Sequence, residues 1–186
     1  MKDAIETTFK NDKVVVTFLN LLLANEYVLY TKTRTAHWNL DGSNYFELHV
    51  FLENQYNEIN EMIDDIAEQI RSLGHFTLGS LKDFLNIAQM NDDNQNFSNS
   101  KKNFETLLSD HLTIISIIKH ELFPISEVLN DRNTAIFLTE IMKKHKEMVW
   151  MIRLFISNPD FNEKKPIRTN KTNKLSKKIL RFEPEL

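Results

Sequence analysis

Cysteine is absent from the 186 residues, which rules out a disulfide framework, thiolate zinc sites, iron–sulfur clusters and cysteine nucleophiles. Any bound metal therefore falls to His, Asp and Glu. Glycine and proline are nearly as scarce, at three and four residues, far below average usage. Folds built of many short strands need turn residues that this chain lacks, so a few long helices are expected, and a phosphate-cradling glycine loop is argued against. Met1 to Lys13 lacks the apolar run of about 7–15 residues that a secretory signal needs. No later segment is expected to span a bilayer, and the expected compartment is the cytoplasm. Phenylalanine is plentiful: thirteen residues, enough to fill the seams of one domain of ordinary size.

Charge is nearly balanced in total but uneven along the chain. The formal net charge is −3, yet Lys164 to Arg181 holds eight basic residues (Lys164, Lys165, Arg168, Lys171, Lys174, Lys177, Lys178 and Arg181) and no acidic one. Taking those eight away leaves −11 for the remainder. An acidic body with a basic end implies two tasks, and a block of like charge is often an interaction arm.

Hydrophobic spacing marks four long helices. The first runs from about Val14 to Thr35, with Val14, Phe18, Leu21, Leu22, Val28 and Leu29 at helical intervals, after an N-terminal extension at 1–13. A turn signal, Asp41-Gly42-Ser43, follows, with Ser43 or Asn44 as the cap of the next helix and Glu47 in its first turn. That second helix continues to about Leu73. Its stripe Tyr56, Ile59, Ile63, Ile66 and Ile70 has the three-four rhythm of a packed bundle helix, and Gly74 is placed to end it. A connector with Gly79 and a short amphipathic stretch, Leu81 to Ala88, leads through a polar loop, Asn91 to Asn99. The third helix carries Phe104, Leu108, His111, Ile115, Ile118 and Leu122 and stops near Pro124. Asp131 and Asn133 precede the fourth, striped by Phe137, Ile141, His145, Met148, Ile152 and Phe155, with Pro159 beyond its end. The expected fold is all-α: a four-helix bundle over 14–158 with a short helix in the connector between the second and third helices, then a basic tail at 159–186.

The second helix holds the informative constellation. His49 and Glu53 are four residues apart, as are Asp64 and Glu68, and the four positions fall at about 0°, 40°, 60° and 100° around the axis. All four share one face, and an i, i+4 pair is how a helix offers two ligands to one ion. The two pairs lie roughly 16 Å apart along the axis, so one chain offers two half-sites. A two-fold dimer with this helix antiparallel to its own copy would set one pair against the other and complete two equivalent sites. His37, at the end of the first helix beside Trp38, is a further candidate ligand. Such a nitrogen and oxygen set suits Fe(II), Mn(II) or Zn(II). The competing reading is a solvated acidic face with histidines in capping or core positions. The intrachain di-iron pattern Glu-x-x-His occurs nowhere in the chain.

The runs Thr35-Ala36-His37-Trp38-Asn39-Leu40-Asp41-Gly42, Phe46-Glu47-Leu48-His49 and Ile63-Asp64-Asp65-Ile66-Ala67-Glu68-Gln69-Ile70-Arg71-Ser72-Leu73-Gly74 are similar to the Dps family, the miniferritins of starved bacterial cells. Weaker similarity appears at Gly79 to Phe84, Asp131 to Ala135, Leu138 to Glu140, His145 and Trp150 to Arg153, so the resemblance spans roughly Val14 to Ile156. It implies a ferritin-like bundle assembled into a hollow homo-oligomeric shell of twelve subunits. It also implies that Fe(II) binds between two-fold-related subunits, is oxidised by hydrogen peroxide in preference to O2, and is stored as ferric mineral. On that resemblance His37, His49 and Glu53 come from one subunit, with Asp64 and Glu68 from its neighbour. Trp38 matches a tryptophan beside the site that donates an electron and limits radical escape; the plainer reading is an aromatic packed at a helix end. Two departures stand out. Family members often carry Asp where this chain has Glu53, which bears on the second metal position. Ile136 stands where the family often lines a three-fold pore with Asp, although Asp131 is kept, and an apolar residue there weakens cation attraction.

The basic tail has two readings. It is a DNA-binding arm, as in family members that compact DNA through basic termini, or a solubilising or shell-docking tail. In the first case eight charges per chain would release many counterions on DNA without reading sequence. The alternative function is accordingly a non-specific DNA-binding, nucleoid-compacting protein with little ferroxidase activity. His111 and His145, on apolar stripes, are expected to be hydrogen-bonded core residues, and His75 and His120 show no usable pattern.

Overall fold

A computed structural model describes residues 2–40, 44–91, 100–124 and 131–158, with side chains from Lys13 onward. The elements are α1 (Lys2–Trp38), α2 (Tyr45–Ser72), α3 (Leu81–Ile87), α4 (Ser100–Ile117), continued by a π-helical turn (Ile118–Leu122), and α5 (Arg132–Ser157). No strand occurs among the described residues. The four long helices and the short connector helix are those expected from the sequence. The turn at 41–43, most of the polar loop (92–99) and the tail with its eight basic residues lie outside the described residues.

Helix ends follow local chemistry. α1 reaches back to Lys2, twelve residues before Val14, because no glycine or proline interrupts that stretch. α2 ends just before Gly74, whose φ of +82° is the left-handed conformation glycine adopts without strain. The Gly74 N–H donates to the Arg71 carbonyl and the His75 N–H to that of Ile70, satisfying the last turn. Ser80 caps α3 by accepting from the Asp83 N–H, and Asp131 caps α5 by accepting from that of Thr134. The π turn precedes Pro124, whose ring would press on the carbonyl four residues back in a regular α-helix, and a widened turn relieves that contact.

α1 packs along α2, α3 and α4, while α5 lies against α4 and meets α2 at one edge. The core includes Leu19, Leu22, Leu29, Leu52, Ile59, Ile66, Ile114, Leu138 and Met148, all fully buried. Phe51, Phe104 and Phe155 join α2, α4 and α5, with ring centroids 4.6 to 5.9 Å apart. Phe104→Ala should therefore cost about 3–5 kcal/mol, read as a lower urea midpoint. Not every phenylalanine fills a seam, since Phe46 and Phe76 face outward at 76% and 86% exposure.

Against the expectation that no later segment is long enough to span a bilayer, Lys13–Trp38 is long and apolar enough to do so by length and composition. Most of its apolar side chains, Leu19, Leu22, Leu23 and Leu29 among them, are however buried in the core, and it carries Glu26, Lys32 and Arg34.

Polar residues of α1 also hold the connector. The Asn20 side-chain oxygen accepts from the Leu78 N–H, that of Asn25 accepts from the Gln89 and Met90 N–H groups, and the Lys32 ammonium donates to the Asn91 carbonyl. Lys32 also forms a buried ion pair with Asp110 at 2.6 Å. Burial nevertheless raises the Asp110 pKa, against the lowering effect of Lys32.

Candidate metal centre

The turn between α1 and α2 brings His37 against His49. His37 is buried, and its Nδ1 lies 3.0 Å from the His49 backbone carbonyl oxygen. A carbonyl only accepts, so the hydrogen sits on Nδ1 and the His37 Nε2 carries the free lone pair. Metal-binding imidazoles are oriented in this way by their second nitrogen. The two rings stack at 3.7 Å, Tyr45 covers His49 at 5.1 Å, and Tyr56 meets His37 edge-on at 5.2 Å. The His49 Nδ1 is buried without a hydrogen-bond partner, a costly state for a polar atom. Two imidazoles thus converge, one with its tautomer set and one with an unsatisfied nitrogen.

Glu53 lies one turn further along α2 and is exposed, as are Asp64 and Glu68 beyond it. Among the described residues no group of three or more His, Asp and Glu side chains is arranged to hold a metal. The structure therefore joins His37 to His49 but does not gather Glu53, Asp64 and Glu68 around them. The acidic pair stays a separate patch on the outward face of α2, as its axial spacing requires. Exposed apolar residues neighbour both imidazoles in sequence: Trp38, 63% exposed, follows His37 on α1, and Tyr45, Phe46 and Val50 lie within four residues of His49 on α2. Trp38 is thus not packed into a helix-end core.

Arg34 was not singled out by the sequence reading, although Tyr30, Arg34 and Trp38 at intervals of four signal one shared face. Its guanidinium lies 5.2 Å from the Tyr56 ring centroid and 5.4 Å from that of Trp38.

A second polar cluster occupies the bundle core. The His145 Nε2 is 2.7 Å from the Glu26 Oε1, and its Nδ1 is 2.9 Å from the His111 Nδ1. All three residues are fully buried, and the Glu26 Oε2 and His111 Nε2 have no partner. The expected core role of both histidines is what the structure displays, but their carboxylate partner was missed because it is 119 residues away in sequence. Burial, and secondarily the neighbouring His145, pushes the His111 pKa well below its usual value.

The ferritin-like domain family matches residues 16–160. An uncharacterized low temperature-induced protein of Nostoc is 34% identical over 158 residues, 85% of each chain. The DNA protection during starvation protein of Helicobacter pylori is 28% identical, covering 75% of this chain and 96% of its own. Among solved structures, Dps from Thermosynechococcus elongatus superposes with a TM-score of 0.76 at 26% identity, covering 83% of this chain and 97% of that one.

Proposed function

This chain belongs to the ferritin-like family, in its Dps miniferritin branch, and on that footing we propose that it oxidises Fe(II), its substrate, and stores the product. Fe(II) binds to His37, His49 and Glu53 of one subunit together with the partner's Asp64 and the partner's Glu68. Each two-fold dimer then has two equivalent sites. Mixed imidazole and carboxylate donors suit Fe(II). Two Fe(II) ions would give up one electron each to one hydrogen peroxide, whose O–O bond breaks and whose two oxygens leave as two waters after taking up two protons from solvent; O2 is the slower oxidant. The harder Fe(III) product moves to carboxylates on the inner wall of a dodecameric shell in the cytoplasm. Trp38, exposed beside the imidazoles, supplies an electron to one-electron oxidants that escape.

The observation that carries this reading is the His37 Nδ1–H bond to the His49 carbonyl, which leaves the Nε2 lone pair free for a metal, with the exposed Trp38 next in sequence. Exposed apolar groups of this kind mark surfaces that a partner covers. Crystals soaked in Fe(II) under argon should show anomalous density bonded both to His37 and to the partner's Glu68. Density bound within a single chain, or none near His37, overturns the assignment.

A second role rests on the eight basic residues between Lys164 and Arg181. A DNA-binding tail protects the nucleoid by coating it, in keeping with a relative described as a nutrient stress-induced DNA-binding protein. Gel retardation should then disappear in high salt and after truncation at Pro159. Retardation by the truncated shell would assign DNA binding elsewhere.

A further inference from the structure

Arg71 stands in the last turn of α2, where its guanidinium carbon lies 4.5 Å from the Phe76 ring centroid and its Nη1 donates to the His75 carbonyl at 2.9 Å. Those two contacts hold an exposed cation in one place. Among the described residues the ion pairs are Lys32 with Asp110 and His145 with Glu26, so no carboxylate described in this chain pairs with Arg71. Phe76 is 86% exposed, and Phe46, in the first turn of the same helix, is 76% exposed. Neither ring is covered by its own chain, and large exposed apolar groups mark surfaces that a partner covers. Counted around α2 from His49 at about 100° per residue, Phe46 falls at about 60° and Arg71 at about 40°. Both therefore share the face that carries His49, Glu53, Asp64 and Glu68.

We propose that Arg71 is clamped between two rings, its own Phe76 and the partner's Phe46, and that a pair of such clamps closes the two-fold interface. The occupant of the exposed face is thus a second copy of this chain, and the inference rests on the antiparallel dimer described above. That dimer sets His49 against the partner's Glu68, and Glu53 against the partner's Asp64. Phe46 stands three residues before His49, and the partner's Arg71 stands three residues after the partner's Glu68. The same register therefore brings them together, roughly 4.5 Å along the axis beyond the metal ligands. Two-fold symmetry makes two clamps per dimer, one outside each metal site. A planar guanidinium stacks on aromatic faces, and the attraction strengthens as the partner's ring takes water away from it. A slip of one turn, about 5.4 Å, would pull the ring off the cation, so the clamps fix the register on which a metal site split between chains depends.

The absence of cysteine allows the contact to be tested in the assembled full-length protein. Phe46 and Arg71 are 25 residues apart on one helix, roughly 37 Å, and in the proposed register each lies about as far from its own copy. A short thiol-to-thiol bismaleimide should therefore link chains carrying both Phe46→Cys and Arg71→Cys into covalent dimers, and leave chains carrying either substitution alone as monomers on denaturing gels. No link in the double variant, or a link in either single variant, overturns the proposal. Glu53→Cys with Asp64→Cys separates the two levels of the argument. If that pair links and the first does not, only the clamp fails; if neither links, the two-fold site fails with it. The chemistry of the contact is read from Phe46→Ala, Arg71→Ala and their combination, by the concentration at which the subunits dissociate. Each single change should raise it at least about fivefold, and the combination should raise it little further. Effects that multiply would mean that the two side chains do not touch, which also overturns the proposal.

Discussion

Alanine at both Asp64 and Glu68 should slow the growth of ferric absorbance, after Fe(II) is mixed with peroxide, by at least about a hundredfold. Even groups that merely orient metal ligands are worth roughly 10- to 100-fold, and here two donors of five disappear. Both side chains are exposed, so the fold should survive, with stability within about 0.5 kcal/mol of the native chain. A rate loss without a stability loss is the expected result, and an unchanged rate would sink the site assignment. A 1:1 mixture with chains carrying alanine at His37 and His49 gives a sharper result. In a mixed dimer one site collects all four mutated positions and the other collects none. Co-refolding the two inactive variants should therefore recover part of the activity, which no site contained in a single chain can do.

Glu26→Ala should destabilise the protein by about 3–5 kcal/mol, the usual cost of removing one member of a buried charged or hydrogen-bonded pair, since it leaves the fully buried His145 Nε2 without its acceptor. The same cluster should make the native protein acid-labile. A single hydrogen fits between the two Nδ1 atoms 2.9 Å apart, and burial lowers the pKa of His111 in the folded state. Below pH 6.5 the unfolded chain takes up a proton at this position that the native chain refuses. Stability is then complete above that pH and falls as the solution is acidified, by as much as about 1.4 kcal/mol per pH unit. The Glu58 and Asp110 carboxyls, whose pKa values burial raises, act in the opposite direction, nearer the carboxylate range. Urea midpoints of His111→Leu, measured from pH 8 to pH 5 at constant protein concentration, should be flatter than those of the native chain. Parallel curves would remove His111 as the cause.

Helix number, the short connector helix and the shared face of His49, Glu53, Asp64 and Glu68 were legible because each depends on intervals within one helix. Ile59, Ile63, Ile66 and Ile70 point inward, and the acidic pair consequently faces out. What stayed hidden depends on juxtaposition across the chain. Nothing local announces that Glu26 will meet His145, or that His37 will bond to the His49 backbone. The π turn was also missed, since a proline near a helix end reads as a stop and not as a change of pitch. Arg34 lay between these cases. Its spacing to Tyr30 and Trp38 was visible, but the third ring, Tyr56, arrives from another helix.

The bonds from Asn20, Asn25 and Lys32 to the connector have a consequence for how sequences of this kind can change. Connecting segments usually absorb insertions and deletions with little penalty. Here the three donors and acceptors sit at fixed heights on a rigid rod, and the segment between Leu78 and Asn91 must match those heights to reach all of them. Adding or removing a residue there would detach at least one buried backbone group from its partner, so length variation among related chains should collect elsewhere.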